Sequence, residues 1–335
     1  MIVFIIRRLI AAVFLMVIVS MIIFGIFFLL PKLGGQTNYQ LATEYVGRNP
    51  TPSAIHQMEQ SLGLDRPIVV QYWTYLRAIF IGAHYNTGTS NVYCPPPCLG
   101  YSFHNQQPVW PMLTSSMPIT LSLGIGAAVL WLAGGVSIGV ISALKRGTVI
   151  DRLSMGVALL GVSLPIFFTG LISLELFSYK WSLFPNVQYV GITQNPLSWA
   201  RNLVLPWVTL AFLYAALYAR LTRSGMLETM NEDYIRTARA KGLPERTVIF
   251  KHGLRAALTP IVTIFGLDLG LLLGGAFLTE TTFSLHGLGW FTVNAINTQD
   301  FPEIMGVVIV ASVFIILANM VVDVLYAVID PRVRL

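Results

Sequence analysis

The chain has 335 residues, 55% of them hydrophobic and only 11% charged, with a formal net charge of +6. A mean hydropathy of +0.69 leaves too much apolar surface for a water-soluble fold, which excludes a soluble enzyme. The positive balance fits the inner face of a membrane protein and calls for no nucleic acid.

A helix of roughly 20 apolar residues crosses the hydrocarbon core of a bilayer. Six stretches qualify, over residues 9–30, 119–144, 153–174, 203–219, 259–279 and 304–322. They lack the alternating pattern of barrel strands, so the expected class is an all-α membrane protein with six transmembrane helices. The first stretch follows Arg7 and Arg8 but is longer than a secretory signal core, and no small-residue cleavage site follows it. Residues 1–31 are therefore expected to stay as an anchor helix. With both termini placed in the cytoplasm, fifteen of the 21 Lys and Arg residues fall on that side. Only Lys32, Arg48, Arg66, Arg77, Lys180 and Arg201 fall opposite, which fixes the orientation by the positive-inside rule. The location expected is the cytoplasmic (inner) membrane, crossed several times.

Residues 32–116 then form an extracytoplasmic subdomain between helices one and two. In "TPSAIHQMEQSLGLDRPIVVQYWTYLRAIF" the apolar spacing predicts two short helices, broken at Gly63 and Pro67. Beyond them "YCPPPC" carries the only two cysteines, Cys94 and Cys98. On an oxidising side these read as a disulfide that fixes a loop tip, or else as free thiols. Two thiols without His or carboxylate neighbours make a poor metal site, and none is expected.

Residues 117–335 hold the remaining five spans. Gly135, Gly139 and Ala143 recur every four residues, as do Gly266, Gly270 and Gly274, and such stripes let helix backbones approach closely. Four acids lie in or near the spans: Glu175, Asp268, Glu280 and Asp323. Asp268 is two residues from both Gly266 and Gly270, at about 100° per residue, so it faces away from that stripe. It reads either as a group on a translocation path or as a partner in an ion pair at a subunit interface. The other three sit near span ends, where structural pairing is the plainer reading.

The segment "EDYIRTARAKGLPERTVIFKHGLR", residues 232–255, concentrates charge in an otherwise apolar chain. Asn231 is a cap residue, Glu232 and Asp233 fill a first helical turn, Arg239 and Lys241 a last one, and Gly242 stops it. Pro244 and Glu245 open a second helix that runs into the fifth span. A short amphipathic helix outside the membrane needs something to bury its apolar face, here Tyr234, Ile235, Ala238 and Leu243. The cytoplasmic loop 222–258 is therefore expected to dock on a partner rather than to be solvated.

"DYIRTARAKGL" resembles the importer motif E-A-A-x-x-x-G of permease subunits in ATP-binding-cassette importers, in the form carried by the peptide-type branch (dipeptide, oligopeptide and nickel). Ala238 and Gly242 stand at matching positions, while Arg236 and Thr237 replace the general motif's Glu and Ala. "LGLDRPIVVQY", "GYSFHNQQPV", "SLPIFFTG", "TETTFSLHGLG", "QDFPEIMG" and the terminal "DPRV" are similar to stretches of the same branch, in the same order. Two features depart from it: "LPKLGG" after the first span, and residues 82–99, which look inserted.

The resemblance implies a type I ABC importer permease core and a chain that moves peptides or similar small solutes. It implies a second homologous permease subunit, two cytoplasmic ATPase domains and an extracytoplasmic solute-binding protein as partners, besides membrane lipid. It also implies that Asp233, Tyr234, Arg236, Ala238, Arg239, Lys241 and Gly242 couple this chain to the ATPase. The chain has no G-x-x-x-x-G-K-[ST] loop, so no catalysis and no cofactor are expected on it, with ATP and Mg on the partner subunits. The alternative is an ion-coupled secondary transporter or channel using Asp268 and Glu175. A membrane-embedded enzyme would need clustered ligands within the spans, yet His56, His84, His104, His252 and His286 fall outside them. Substrate identity is not encoded in any of these features.

Overall fold

The computed structural model describes residues 2–46, 51–86, 91–184 and 187–329. Arg48, Arg332, Arg334 and the "DPRV" stretch lie outside the described residues. Contacts divide the chain into two compact units, Met1–Thr120 with His286–Ile316, and Leu121–Leu285 with Leu317–Leu335. These units cut the chain elsewhere than residues 31 and 116, because residues between 23 and 64 share one hydrophobic core with residues between 288 and 310.

In the first unit, helix α1 (Ile2–Phe24) continues through a π-helical stretch, Gly25–Leu29, to Leu33. Phe24 and Phe28 stack at 4.5 Å and enter a core with Leu41, Ile55, Met58, Leu288 and Met305. Helix α2 (Asn38–Val46) supplies Leu41, and α3 (Pro52–Leu62) supplies Ile55 and Met58. Thr51 starts α3 by accepting from the Ala54 N–H, Pro52 fills its first turn, and Gly63 ends it in the left-handed region. Helix α4 (Ile68–Ile81) follows Pro67.

Beyond α4 the all-α expectation needs correcting. Strands β1 (Ala83–Asn86) and β2 (Asn91–Cys94) pair antiparallel, as do β3 (Tyr101–Ser102) and β4 (Gln107–Pro108). This stretch lacks a helical apolar period and is rich in Asn, Pro, Gly and Tyr, residues that favour turns and short strands. Cys94 and Cys98 are joined by a disulfide at the end of β2, with Cα atoms 5.6 Å apart.

Helix α5 (Val109–Leu144) carries the second span. The third span was expected to be continuous over 153–174, and it is not. Helices α6 (Val149–Ser163) and α7 (Ile166–Ser173, extended by a π-helical stretch to Lys180) meet at an angle of 104°. Pro165 has no N–H to give and drives Leu164 into extended backbone, which breaks the helix there.

Helix α8 (Pro196–Thr229) holds the fourth span, begun by Asn195, whose side chain accepts from Ser198 N–H at 3.0 Å. A short helix, α9 (Asp233–Ala240), precedes α10 (Glu245–Leu273). The fifth span ends at Leu273 rather than Thr279, because the chain turns at Gly274 and Gly275 before helix α11 (Phe277–Thr282). Helices α12 (Leu288–Thr298) and α13 (Phe301–Ile329) are the last elements among the described residues. Among the described residues, five helices are long and apolar enough to cross a membrane, and the bent pair α6–α7 would make a sixth span.

Close helix contacts in the second unit depend on missing side chains. A Cβ on Gly135 would lie 2.9 Å from the Ala215 carbonyl oxygen, and one on Gly139 would lie 2.6 Å from that of Ala219. Helices α5 and α8 thus meet backbone to backbone. On α10, Gly266 faces Val322 of the last helix, where an added Cβ would overlap the valine at 2.0 Å.

Candidate coupling site

The segment between α8 and α10 forms a stiff elbow. Helix α9 ends at Gly242, whose φ of +72° lies in the left-handed region that glycine enters without strain. The Gly242 N–H bonds the Arg239 carbonyl at 2.9 Å, and the Leu243 N–H reaches the Ala238 carbonyl at 3.4 Å, a Schellman termination. Pro244 then stands just before α10. Across the corner, Arg239 holds Glu245 through two bonds of 2.7 and 3.2 Å, so the last turn of α9 is tied to the first turn of α10.

Beneath that corner Ile235, Ala238 and Val248 form a small buried cluster with Met230 packed on it. Two expectations change here. Asn231 is not the cap: Glu232 occupies that position without a side-chain bond, and the Asn231 amide donates to the Leu227 carbonyl instead. Ile235 and Ala238 are buried by the chain itself, because α10 passes under α9. Only Tyr234 and Leu243, 46% and 39% exposed, remain of the apolar face expected to need a partner.

The outward side of the elbow therefore shows Tyr234, Arg236, Lys241, Gly242 and Leu243, with Phe250 exposed on α10. Asp233 contacts Arg236 at 3.5 Å with both side chains in solvent, a pair worth little. Partial burial and the neighbouring Glu232 carboxylate raise the Tyr234 phenol above its usual pKa. The Glu245 hydrogen bond does the same for the Arg239 guanidinium. Both groups keep their protons near neutral pH. A Cβ on Gly242 would meet nothing within 4 Å, so this chain leaves open space beside it.

A second polar cluster fixes the helix that leads into the elbow. Arg223 on α8 grips Asp151 on α6 with two bonds of 2.7 and 2.9 Å. Asp151 also accepts from the Ser142 hydroxyl on α5 and from the Gly147 N–H at 2.9 Å. Asp151 is buried, and its four donors come from α5, the following turn and α8. Sequence reasoning did not single out this clamp. Asp151 and Arg223 are 72 residues apart, and no local pattern pairs them.

Asp268 lies on α10 half-buried, where its carboxylate accepts from the Tyr218 hydroxyl of α8 at 2.8 Å. Gly266 meets α13, so the acid and the glycine stripe do face different neighbours. Among the other acids, Glu175 is exposed and Glu280 fully buried. Cys94 and Cys98 belong to the other unit and are not part of the elbow.

Long apolar helices and a rigid polar elbow between two of them define a multi-pass membrane protein of the helical permease class. Residues 135–335 match the family described as "Binding-protein-dependent transport system inner membrane component", and residues 1–124 match the N-terminal region of such membrane components. The dipeptide transport system permease protein DppB of Escherichia coli (strain K12) is 37% identical over 310 residues, 86% of this chain and 87% of that protein. A putative peptide transport system permease protein of Brucella abortus (strain 2308) is 36% identical over 98% of both chains. Among solved structures, one chain of the MetNI methionine ABC transporter in inward-facing conformations aligns with a TM-score of 0.53 at 17% identity. That alignment covers 66% of this chain and 97% of the other, and it shows a shared fold. The chain belongs to the binding-protein-dependent transport system inner membrane component family. It is a permease subunit of ABC-importer type, and these matches do not support an ion-coupled secondary transporter or channel.

Proposed function

We propose that this chain passes motion from separate cytoplasmic ATPase subunits to its own membrane helices, and so moves peptides or similar small solutes inward. The observation that carries the reading is the elbow, a helix fixed to the span behind it by an ion pair, a Schellman turn and a buried cluster. A rigid piece of this kind, held in a groove of an ATPase, would turn closure of the ATPase pair into displacement of α8 and α10. Energy would enter as the difference in ATP affinity between the two states of the assembly. Tyr234, Leu243 and the open space at Gly242 are the surface offered to that groove, with Asp233, Arg236 and Lys241 at its rim. Arg239 and Ala238 hold the elbow together from inside.

In this reading ATP and Mg sit on the partner subunits, and this chain binds neither and catalyses nothing. The assembly contains a second homologous permease subunit, two ATPase domains and an extracytoplasmic solute-binding protein. Both termini and the loop 222–258 lie in the cytoplasm of a cell bounded by this inner membrane. Residues 1–31 anchor the chain, residues 32–116 with the Cys94–Cys98 disulfide lie outside, and residues 117–335 form the core, the bent pair α6–α7 being the third of six spans. Peptides are the solute class because one relative is a dipeptide transport system permease and the other a putative peptide transport system permease.

Gly242 tests the mechanism. A side chain there costs this chain about 1 kcal/mol for the left-handed backbone and meets no atom of it. Gly242→Trp should leave the complex assembled at near wild-type amount and abolish ATP-driven uptake. Gly242→Asn, which tolerates the left-handed region, should assemble fully and still transport poorly, since the added atoms meet the partner. Normal uptake by the Trp variant at normal expression would refute the docking role.

A further inference from the structure

We infer that helix α4 (Ile68–Ile81) lies in the outer leaflet of the bilayer, one face covered by lipid acyl chains, without crossing the membrane. The inference rests on the reading of α1 as a span and adds a second lipid contact to it. Of residues 32–116, read above as lying outside, α4 then sits in the leaflet.

Helix α4 is sorted the wrong way round for water. Val69, Trp73 and Phe80 are 73%, 68% and 77% exposed, while Gln71 is buried and gives its amide to the carbonyls of Leu64 and Arg66 at 3.2 and 2.7 Å. At about 100° per residue, Val69, Trp73, Leu76 and Phe80 fall on one side of the helix, and Gln71 and Ala78 lie opposite. Helix α3, in the same unit, has the ordinary order: Ile55 and Met58 are buried, and Ser53, His56 and Gln60 are exposed. A contiguous face of large apolar side chains is a surface that something apolar covers.

What covers it follows from where α4 sits along α1. The Tyr72 and Ser20 hydroxyls bond at 2.8 Å, and the Phe24 ring lies 5.3 Å from that of Tyr72 and 5.9 Å from that of Tyr75. Phe24 is six residues before Leu30, the outer end of the first apolar stretch, and Ser20 is ten before it. At about 1.5 Å per residue, these contacts stand about 9 and 15 Å inside that end. The bend before α4 is higher, because Lys32, beyond Leu30, donates to the Leu64 carbonyl at 2.8 Å. At the level of Ser20 and Phe24, α1 itself exposes Val17, Met21 and Ile22, the apolar surface of a span. The bare face of α4 therefore stands at a depth where lipid already covers its neighbour. Its 14 residues extend only about 21 Å, too short for a core about 30 Å thick, so it lies within one leaflet.

A helix of a partner subunit is the other apolar cover at that depth. Helices that pack in lipid approach one another at small residues, and Val69, Trp73, Leu76 and Phe80 include none. The face instead carries Trp73, with exposed Arg77 one turn on. An indole settles at the headgroup boundary, and a guanidinium on a long apolar stem reaches out to the headgroups, so the two anchor a helix just beneath them.

The test places a nitroxide on Trp73→Cys, and separately on Phe80→Cys, in the assembled complex reconstituted in vesicles of phosphatidylethanolamine and phosphatidylglycerol. The two native cysteines are bonded to each other and stay unlabelled. Where either variant assembles poorly, Val69→Cys on the same face replaces it. Power-saturation EPR compares collisions with oxygen, which collects in hydrocarbon, and with a water-soluble nickel chelate. Ser53→Cys on α3 and Val13→Cys on α1 supply the aqueous and lipid references. The oxygen-to-nickel ratio at positions 73 and 80 should exceed that at 53 by about fivefold or more and approach that at 13, since apolar oxygen and the polar chelate partition oppositely. A ratio near that of position 53 at either site overturns the proposal, and so does shielding from both reagents, the sign of a protein neighbour. If position 13 also gives the aqueous ratio, the spanning reading of α1 fails and this inference with it. A lipid ratio at 13 beside an aqueous or shielded 73 or 80 overturns the inference alone.

Discussion

Replacing Asp151 by Asn should be among the most damaging single changes in the second unit. The substitution keeps the shape of the side chain but removes its charge and turns an amide NH2 toward donors already committed to it. Arg223 would keep at most one bond of its bidentate pair and would lose the charge opposite it. The Asp151 side chain is 7% exposed and that of Arg223 26%, so the guanidinium recovers only part of its hydration. Breaking a buried pair by removing one partner costs about 3–5 kcal/mol, and the residual exposure of Arg223 places this case near 3 kcal/mol. At roughly 2–4 °C per kcal/mol for a chain of this size class, thermal unfolding of the detergent-purified complex should shift down by about 6–12 °C. Removing both charges together, as Asp151→Leu with Arg223→Met, should recover at least half of that loss, since an apolar pair leaves no buried charge unpaired. An Asp151→Asn variant that unfolds within about 1 °C of wild type, or a double variant no better than the single, would refute the reasoning.

Two further predictions concern packing and pH. Gly134 has nothing within 4 Å of an added Cβ, whereas Gly139 would press on the Ala219 carbonyl at 2.6 Å. Gly134→Ala should therefore stabilise by up to about 1 kcal/mol through helix propensity, while Gly139→Ala should destabilise by about 1–3 kcal/mol, read as unfolding temperatures of opposite shift. In the first unit, burial raises the pKa of Asp300 despite bonds from the Ser102 hydroxyl and the Glu303 N–H. A raised folded-state pKa means that the native chain binds this proton more tightly than the unfolded chain, so ionisation costs stability as pH rises through that value. Asp300→Asn should thus gain unfolding temperature over wild type at pH 8, and the gain should shrink as pH falls toward the ordinary carboxylate range near about 4. A gain that grows at low pH would contradict the burial argument.

Apolar run length and charge asymmetry alone identified a helical membrane chain, because the bilayer forces backbone satisfaction within each span and rewards positive charge on one side. The elbow was legible for a similar reason: Asp233, Arg239, Gly242 and Pro244 are local signals for starting, ending and restarting a helix, and each acts within a few residues of itself. The break at Leu164 was missed although Pro165 was in view, since a proline within a span either kinks it or ends it. The same residue type sits inside continuous helices at Pro118, Pro206 and Pro260. What only the tertiary structure decided was which groups meet across the fold. Ile235 and Ala238 are buried by the chain's own Val248, Asp151 finds Arg223 across 72 residues, and Asp268 finds Tyr218 among aromatic rings. Such pairings depend on helix rotation and approach, and these follow from side-chain volumes on both partners, set here by glycines that let α5 and α8 touch.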